Sequence, residues 1–194
     1  MVSIVDNFLD QDEFDALQTF ILDFRFAWYY NDAIVSYSDG ESGKWDSPVR
    51  LQSAEEDKNK FQFIHVFFSL PLQWPSQHFE ILKPILEKIN PISLCRIKAN
   101  LLTKTPNIIE SGFHVDMTDS PEEKIKQCTI SIFYVNTNNG YTKFVDGTKV
   151  ESVANRIVTF PANMKHTGTS CTDEKRRVVI NFNYFEDPGG NTFK

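Results

Sequence analysis

From residue 93 to residue 185 the chain is a succession of short β-rich segments with explicit turns between them. The segments are SLCRIKANLLTK (93–104), SGFHVD (111–116), KQCTISIFYVN (126–136), YTKFV (141–145), TKVES (148–152), NRIVTF (155–160) and RRVVINFNYF (176–185). Asn139-Gly140 and Asp146-Gly147 are two-residue turn signals. Many short strands with regular turns point to a sandwich or a barrel.

The first half mixes element types. IVDNFL reads as a short strand and turn. Asp10 and Glu13 make a D-x-x-E capping-box pattern. Phe14, Leu17, Phe20 and Ile21 follow at helical spacing, which predicts an amphipathic helix over 11–23. FRFAWYY (24–30) and FQFIHVFF (61–68) are aromatic and β-branched and read as strands. Between them, residues 36–60 are polar and turn-rich and read as a long surface loop. A second helix follows, with Ser76 as N-cap and Phe79, Leu82, Ile85, Leu86 and Ile89 as one apolar stripe. Pro84 within that stripe predicts a kink or a split. Helices first and strands later predict helices packed on one outer face of a β core.

Composition bounds the rest. The 194 residues fit one domain, 1–194, with 1–92 as support and 93–186 as the core barrel. Seventeen phenylalanines suit a sheet protein. A net charge of −6 with well-mixed signs argues against a general nucleic-acid binder. The start MVSIVDNFLDQDEF has no basic region followed by an apolar run, so no secretory leader is expected. No apolar run approaches the roughly 20 residues of a membrane helix, so a cytoplasmic protein is expected. Cys95, Cys128 and Cys171 are odd in number and widely spaced, which suits free thiols in a reducing compartment.

His114 and Asp116 in GFHVDM stand two residues apart on a β-like segment, so both would face one way. Alone they are an ordinary polar pair. His166, fifty residues after Asp116, supplies a third candidate ligand. Two histidines and one carboxylate are the ligand set of non-haem Fe(II) centres with open positions. Neutral imidazoles suit the ion, and the carboxylate offsets part of its charge. The open positions suit a bidentate cosubstrate and O2. Arg177 follows eleven residues after His166. Alternation puts Arg177, Val179, Asn181 and Asn183 on one strand face. An inward guanidinium is costly unless an anion pairs with it, and a dicarboxylate cosubstrate would provide one. Arg176 faces the other way and takes over if Val178 and Ile180 are the inward set. Asn181 and Asn183 either line the pocket or satisfy backbone groups.

The order His-x-Asp, His, Arg resembles the 2-oxoglutarate- and Fe(II)-dependent dioxygenases, especially their prolyl-4-hydroxylase-like branch. CTISIFYVN is similar to the family strand after the His-x-Asp loop. NGYTKF resembles the family's Gly-x-Thr-x-Phe segment at Gly140, Thr142 and Phe144. VESVANRIVTFPANMKHTG resembles the stretch leading into the distal histidine. IVDNFLDQDEFDALQTFI resembles the family's opening strand and helix. The likeness covers most of residues 2–186, is sharpest over 96–186, and looks like small phage or marine microbial members.

The resemblance implies a double-stranded β-helix, a jelly-roll or cupin-like barrel, with Fe(II) held at its mouth by His114, Asp116 and His166. It implies 2-oxoglutarate as cosubstrate and O2 as oxidant. The reaction would couple decarboxylation of 2-oxoglutarate to succinate and CO2 with hydroxylation of a substrate. That substrate could be a peptidyl proline, or a small metabolite or nucleobase. Arg177 and Tyr134 would meet the cosubstrate's distal carboxylate, with Thr142 and Asn181 in the same pocket. Many relatives carry a tyrosine in the strand before His-x-Asp. Leu101 and Leu102 stand there, which leaves Asn100 or Lys98 for that contact.

The competing reading is a non-catalytic cupin or jelly-roll module that binds or supports without reacting. His65 is expected to be a packed or rim residue and His78 to face solvent. Trp28, Tyr29 and Tyr30 either line a substrate groove or pack a strand. Substrate choice is expected in loops 31–60 and 117–126, with residues 118–126 placed to act as a lid. The expected partner is a peptide or small-molecule substrate, with neither membrane nor nucleic acid.

Overall fold

The computed structural model describes residues 1–32, 61–70, 75–116 and 121–186. The expected loop 36–60, and Met117 to Ser120 at the start of the expected lid, lie outside them. The elements run β1 (Ser3–Val5), α1 (Gln11–Leu22), β2 (Tyr29–Asn31) and β3 (Gln62–Ser69). A 3-10 turn (Phe79–Leu82), α2 (Lys83–Ile89), β4 (Ser93–Thr103) and α3 (Glu122–Ile125) follow. The chain closes with β5 (Cys128–Tyr134), β6 (Tyr141–Phe144), β7 (Lys149–Glu151), β8 (Arg156–Pro161), β9 (His166–Gly168) and β10 (Arg176–Phe185).

Two antiparallel sheets result. The larger has the order β1-β8-β5-β10-β4-β3-β2, and the smaller β7-β6-β9. Strand β10 is central and paired on both sides, with Val179 opposite Asn100 of β4 and Tyr134 of β5. Its alternate residues serve different layers. Val178, Ile180, Phe182 and Tyr184 join the core beneath the helices, with Phe14, Leu17 and Ile21 of α1 and Ile85 of α2. Burying a side chain of this size contributes about 1.5–3 kcal/mol. Val179 faces the other way and packs with Ile130, Ile132, Tyr134, Phe144 and Val150, a layer drawn from both sheets. The helices thus cover one outer face, as the element order predicts, and the space between the sheets receives Arg177, Asn181 and Asn183, as alternation predicts. This is the double-stranded β-helix that the family resemblance implies.

Several local expectations are corrected. The segment 24–30 is not one strand; β2 begins only at Tyr29. The Asp23 carboxylate accepts the Arg25 N–H, and the Phe26 N–H bonds the Asp23 carbonyl, so a turn breaks the strand. Asp10 occupies the N-cap of α1 but makes no side-chain capping bond; its exposed carboxylate lies 3.8 Å from Lys88 Nζ. The second helix does split, with Pro84 in the first turn of α2. Ser76 Oγ accepts the His78 N–H, but the 3-10 turn starts only at Phe79. His78 is not free in solvent; it packs edge-on to Phe20 at 5.1 Å. His65 is packed as expected, bonded to the Ala27 carbonyl and Ser76 Oγ.

Asn139-Gly140 does not close a hairpin. Strand β5 pairs with β8 and β10, while β6 pairs with β7 and β9, so this turn carries the chain from one sheet to the other. Asp146-Gly147 does turn the β6–β7 hairpin, with Gly147 at φ +90. Within 117–126, residues 122–125 form α3 rather than open loop. Among the described residues no helix is long and apolar enough to cross a membrane. Cys95, Cys128 and Cys171 are free thiols.

Candidate metal centre

His166 heads β9, whose partner β6 sets Phe144 opposite it. His114 lies not in a regular strand but in an isolated bridge to His166, with N–H to carbonyl bonds of 3.0 Å both ways. That bridge brings together histidines fifty-two residues apart. Their rings lie 4.8 Å apart, and the His166 ring packs edge-on to Phe160 at 4.9 Å. Asp116 turns its Oδ1 toward both, 3.4 Å from His114 Nε2 and 3.8 Å from His166 Nε2. One ligand atom from each residue lies within 4.8 Å of the others.

Local hydrogen bonds orient these donors. His114 Nδ1–H faces the Gly112 carbonyl at 3.0 Å, and His166 Nδ1–H the Met164 carbonyl at 3.3 Å. With a proton on each Nδ1, both Nε2 lone pairs point to the shared centre, the usual outer arrangement around a histidine-held metal. Asp116 is held by Asn181 Nδ2 at 3.3 Å from Oδ2 and by Arg96, 3.8 Å from the same oxygen. Burial opposes ionisation of Asp116, but the His114 contact, His166 and Arg96 outweigh it and hold its carboxyl well below the usual range. Burial keeps His166 neutral to lower pH than an ordinary histidine. Burial likewise opposes charge on His114, yet the contact with Asp116 prevails and raises it. Two imidazoles and an ionised carboxylate converge with spare lone pairs, so the donor set fits a divalent transition metal.

Arg177 faces the inter-sheet space and is only 3% exposed. Its Nε donates to Ser152 Oγ at 2.7 Å and a terminal nitrogen donates to Thr142 Oγ1 at 3.3 Å. The guanidinium carbon stands 5.7 Å from the Tyr134 ring centre. Among the described residues no carboxylate pairs with it, and burial lowers its affinity for its proton. A buried guanidinium with no carboxylate partner among the described residues is costly, and an anion in this pocket would offset that cost. The Tyr134 hydroxyl donates to Thr142 Oγ1 at 2.9 Å. That oxygen therefore accepts from both neighbours and keeps its own proton to donate. Arg176 points away, toward the Leu22 carbonyl at 2.6 Å, so alternation selects Arg177.

Register gives the spacing between the two poles. Thr142 pairs with Gly168 and Phe144 with His166, so the arginine pole lies one two-residue repeat from the distal histidine. At about 3.3 Å per residue that is roughly 6.6 Å, the reach of a five-carbon diacid. Asn100 lies on the same face, opposite Val179, and its buried Oδ1 has no partner among the described residues. Asn181 Oδ1 and both polar atoms of Asn183 are likewise buried without partners. Trp28 packs on Phe26, and Tyr29 and Tyr30 are exposed at the sheet edge, Tyr29 beside His65 and Tyr30 beside Phe61 and Phe63. Sequence reasoning missed Ser152 and Arg96. Period-two alternation back from Asn100 and Lys98 would have found Arg96; nothing local marks Ser152.

No protein-family model matches the chain, and no curated protein sequence matches it. Solved structures do. A viral collagen prolyl hydroxylase from Paramecium bursaria Chlorella virus-1, in complex with 2-oxoglutarate, is 15% identical with a TM-score of 0.53. The match covers 96% of each chain. A prolyl hydroxylase from Trichoplax adhaerens, bound to a hypoxia inducible factor peptide, is 13% identical with a TM-score of 0.59. It covers 95% of this chain and 83% of that one. The epimerase SnoN, in complex with Fe3+, α-ketoglutarate and nogalamycin RO, is 12% identical with a TM-score of 0.61. There the coverage is 99% and 83%. The chain therefore shares the fold of iron- and 2-oxoglutarate-dependent oxygenases over nearly its whole described length.

Proposed function

We propose that this protein is an Fe(II)- and 2-oxoglutarate-dependent oxygenase that hydroxylates a substrate. The observation that carries this reading is the pair of poles on one barrel face. A His114–Asp116–His166 donor set and a buried Arg177, with no carboxylate partner among the described residues, lie one strand repeat apart. The fold shared with oxygenases supports it.

Bound Fe(II) with 2-oxoglutarate and O2 would supply the oxidising chemistry, decarboxylation of the cosubstrate coupled to oxygen insertion into a C–H bond. The chain's own part is binding, orientation and exclusion of water. His114 and His166 present Nε2 in fixed orientation, and Asp116 offsets charge. Arg177 and Thr142 bind the distal carboxylate with a charge-assisted bond and a hydroxyl donor. Tyr134 backs the guanidinium. Leu102, opposite Arg177 in register, and Ile132, opposite Asn181, wall this face with apolar surface. Fixed donors in a water-poor site act more strongly than in solvent.

The substrate is a peptide or a small molecule, as it is for the neighbours bound to a peptide and to nogalamycin RO. The three free thiols suit a reducing compartment such as the cytoplasm. A non-catalytic module is the weaker reading, because it leaves Arg177 buried with no counter-charge among the described residues. The test is succinate formation. Wild type with Fe(II), 2-oxoglutarate and air should release succinate even without substrate, slowly, and Asp116→Ala should release none. No succinate from wild type, with the metal bound, would overturn the proposal.

A further inference from the structure

Lys98 is a cation that the site above does not use. It sits on β4 opposite Asn181, whose amide donates to Asp116, and so faces the triad from the same sheet surface. Its charge is felt by both Asp116 and His114. It is not fully exposed, and burial together with repulsion from Arg96 pushes its ammonium down to about 8, against an opposing pull from Asp116. Among the described residues it forms no hydrogen bond or ion pair.

Lys98 also stands at the triad end of β4 rather than at the arginine pole. Leu102 is the register partner of Arg177, and Lys98 lies four residues before it. The same stretch, roughly 13 Å at the strand rise, separates Arg177 from Asn181, whose amide meets Asp116. Lys98 is level with the triad instead.

A charge count, which rests on the reading under Proposed function, shows what is left over. Fe(II) would be neutralised by Asp116 and the metal-bound carboxylate of 2-oxoglutarate, and Arg177 by the distal carboxylate. Arg96 leans on Asp116 and is about a third exposed, so water solvates it. Among the described residues Lys98 remains as a part-buried cation with no ion-pair partner in the loaded site, which disfavours the ground state unless a further anion arrives. Beside it stand the unpartnered oxygens of Asn100 and Asn181, acceptors for the rest of a polar ligand.

We propose that Lys98 is a substrate-recognition residue and that the substrate carries a single carboxylate, held by Lys98 beside the metal. Arg96 guards the rim of this subsite and helps to draw the anion in. Lys98 touches the substrate but takes no part in bond making.

The test uses the full chain loaded with Zn(II) and saturating 2-oxoglutarate, which cannot turn over. Binding of propionate is followed by calorimetry, with propionamide as an uncharged control of the same shape. Affinity for 2-oxoglutarate is measured in parallel. The expected result is propionate binding in wild type and Lys98→Arg, at least tenfold weaker in Lys98→Met, with no binding of propionamide. Affinity for 2-oxoglutarate should be the same in all three proteins. Equal binding of propionate to wild type and Lys98→Met, or none to wild type, overturns the inference while leaving the oxygenase reading intact. Loss of 2-oxoglutarate binding in Lys98→Met would make Lys98 a cosubstrate residue and also overturn it. Failure of wild type itself to bind 2-oxoglutarate overturns both readings. Lys98→Gln serves as a second neutral variant should Lys98→Met fold poorly.

Discussion

Gly140 and Arg177 are packed backbone against side chain: a Cβ at Gly140 would stand 2.6 Å from Arg177 Cδ. The Ser170 carbonyl and Asn138 Oδ1 would be equally close, at 2.7 and 2.8 Å. Glycine is needed here for proximity, since its φ is not in the left-handed region. Gly140→Ala should therefore push the guanidinium out of line. We expect 2-oxoglutarate affinity to fall on the order of 10–100-fold and stability to fall by about 1–3 kcal/mol. Metal affinity should hold, since the triad is untouched. Calorimetric titration with 2-oxoglutarate checks this; unchanged affinity would show that Arg177 does not bind the cosubstrate.

Arg177→Lys should fail as a conservative change. Lysine is a point charge and cannot reproduce the fork that meets Ser152 and Thr142 together. The KM for 2-oxoglutarate should rise at least about tenfold with little change in metal affinity. Ser152→Ala should give a smaller rise, because it removes one brace and keeps the charge. A larger effect for Ser152→Ala than for Arg177→Lys would contradict this picture of the pole.

Each member of the triad should matter more to the metal than its outer partners do. Replacing an outer partner typically costs roughly 10–100-fold in metal affinity. Asn181→Ala should fall in that range, while His166→Ala and Asp116→Ala should exceed it. Competition against a chromophoric chelator measures all three. Equal losses for Asn181→Ala and Asp116→Ala would mean that Asp116 is not a ligand.

Lys98 should cost the metal-free fold stability. Its ammonium titrates at about 8 in the fold, against about 10.4 in an unfolded chain. Between these values the unfolded chain binds the extra proton, so this group's contribution improves as pH rises from about 8 to 10. Below pH 8 both states are charged and the penalty is complete. Lys98→Met should thus be more stable than wild type at pH 7 by on the order of 1–3 kcal/mol. The advantage should shrink by pH 10. Denaturant melts at both pH values test it; a difference of opposite sign at pH 7, or one that does not change with pH, would contradict it.

The chemistry of the site was more legible in the sequence than the path of the chain around it. His114, Asp116 and His166 stood out because few side-chain types hold transition metals. Arg177 followed from period-two alternation, which the helix-covered face of β10 enforces. The missed details came from tertiary contacts. FRFAWYY has a strand's composition, but Asp23 folds the chain into a turn before Tyr29. Asn139-Gly140 has a hairpin's composition, yet its glycine answers to the closeness of Arg177. Asp10 stands at the N-cap as its pattern predicts, yet its side chain makes no capping bond and lies out toward Lys88. Ser152 braces Arg177 across twenty-five residues, a contact that no local pattern announces.

The most direct test of the central claim is the visible spectrum of the protein mixed anaerobically with Fe(II) and 2-oxoglutarate. Bidentate binding of a 2-oxo acid to ferrous iron held by this triad should give a metal-to-ligand charge-transfer band. The band should be absent in His114→Ala and weaker in Arg177→Ala at the same cosubstrate concentration. A wild-type protein that binds Fe(II) yet shows no band at saturating 2-oxoglutarate would contradict the account.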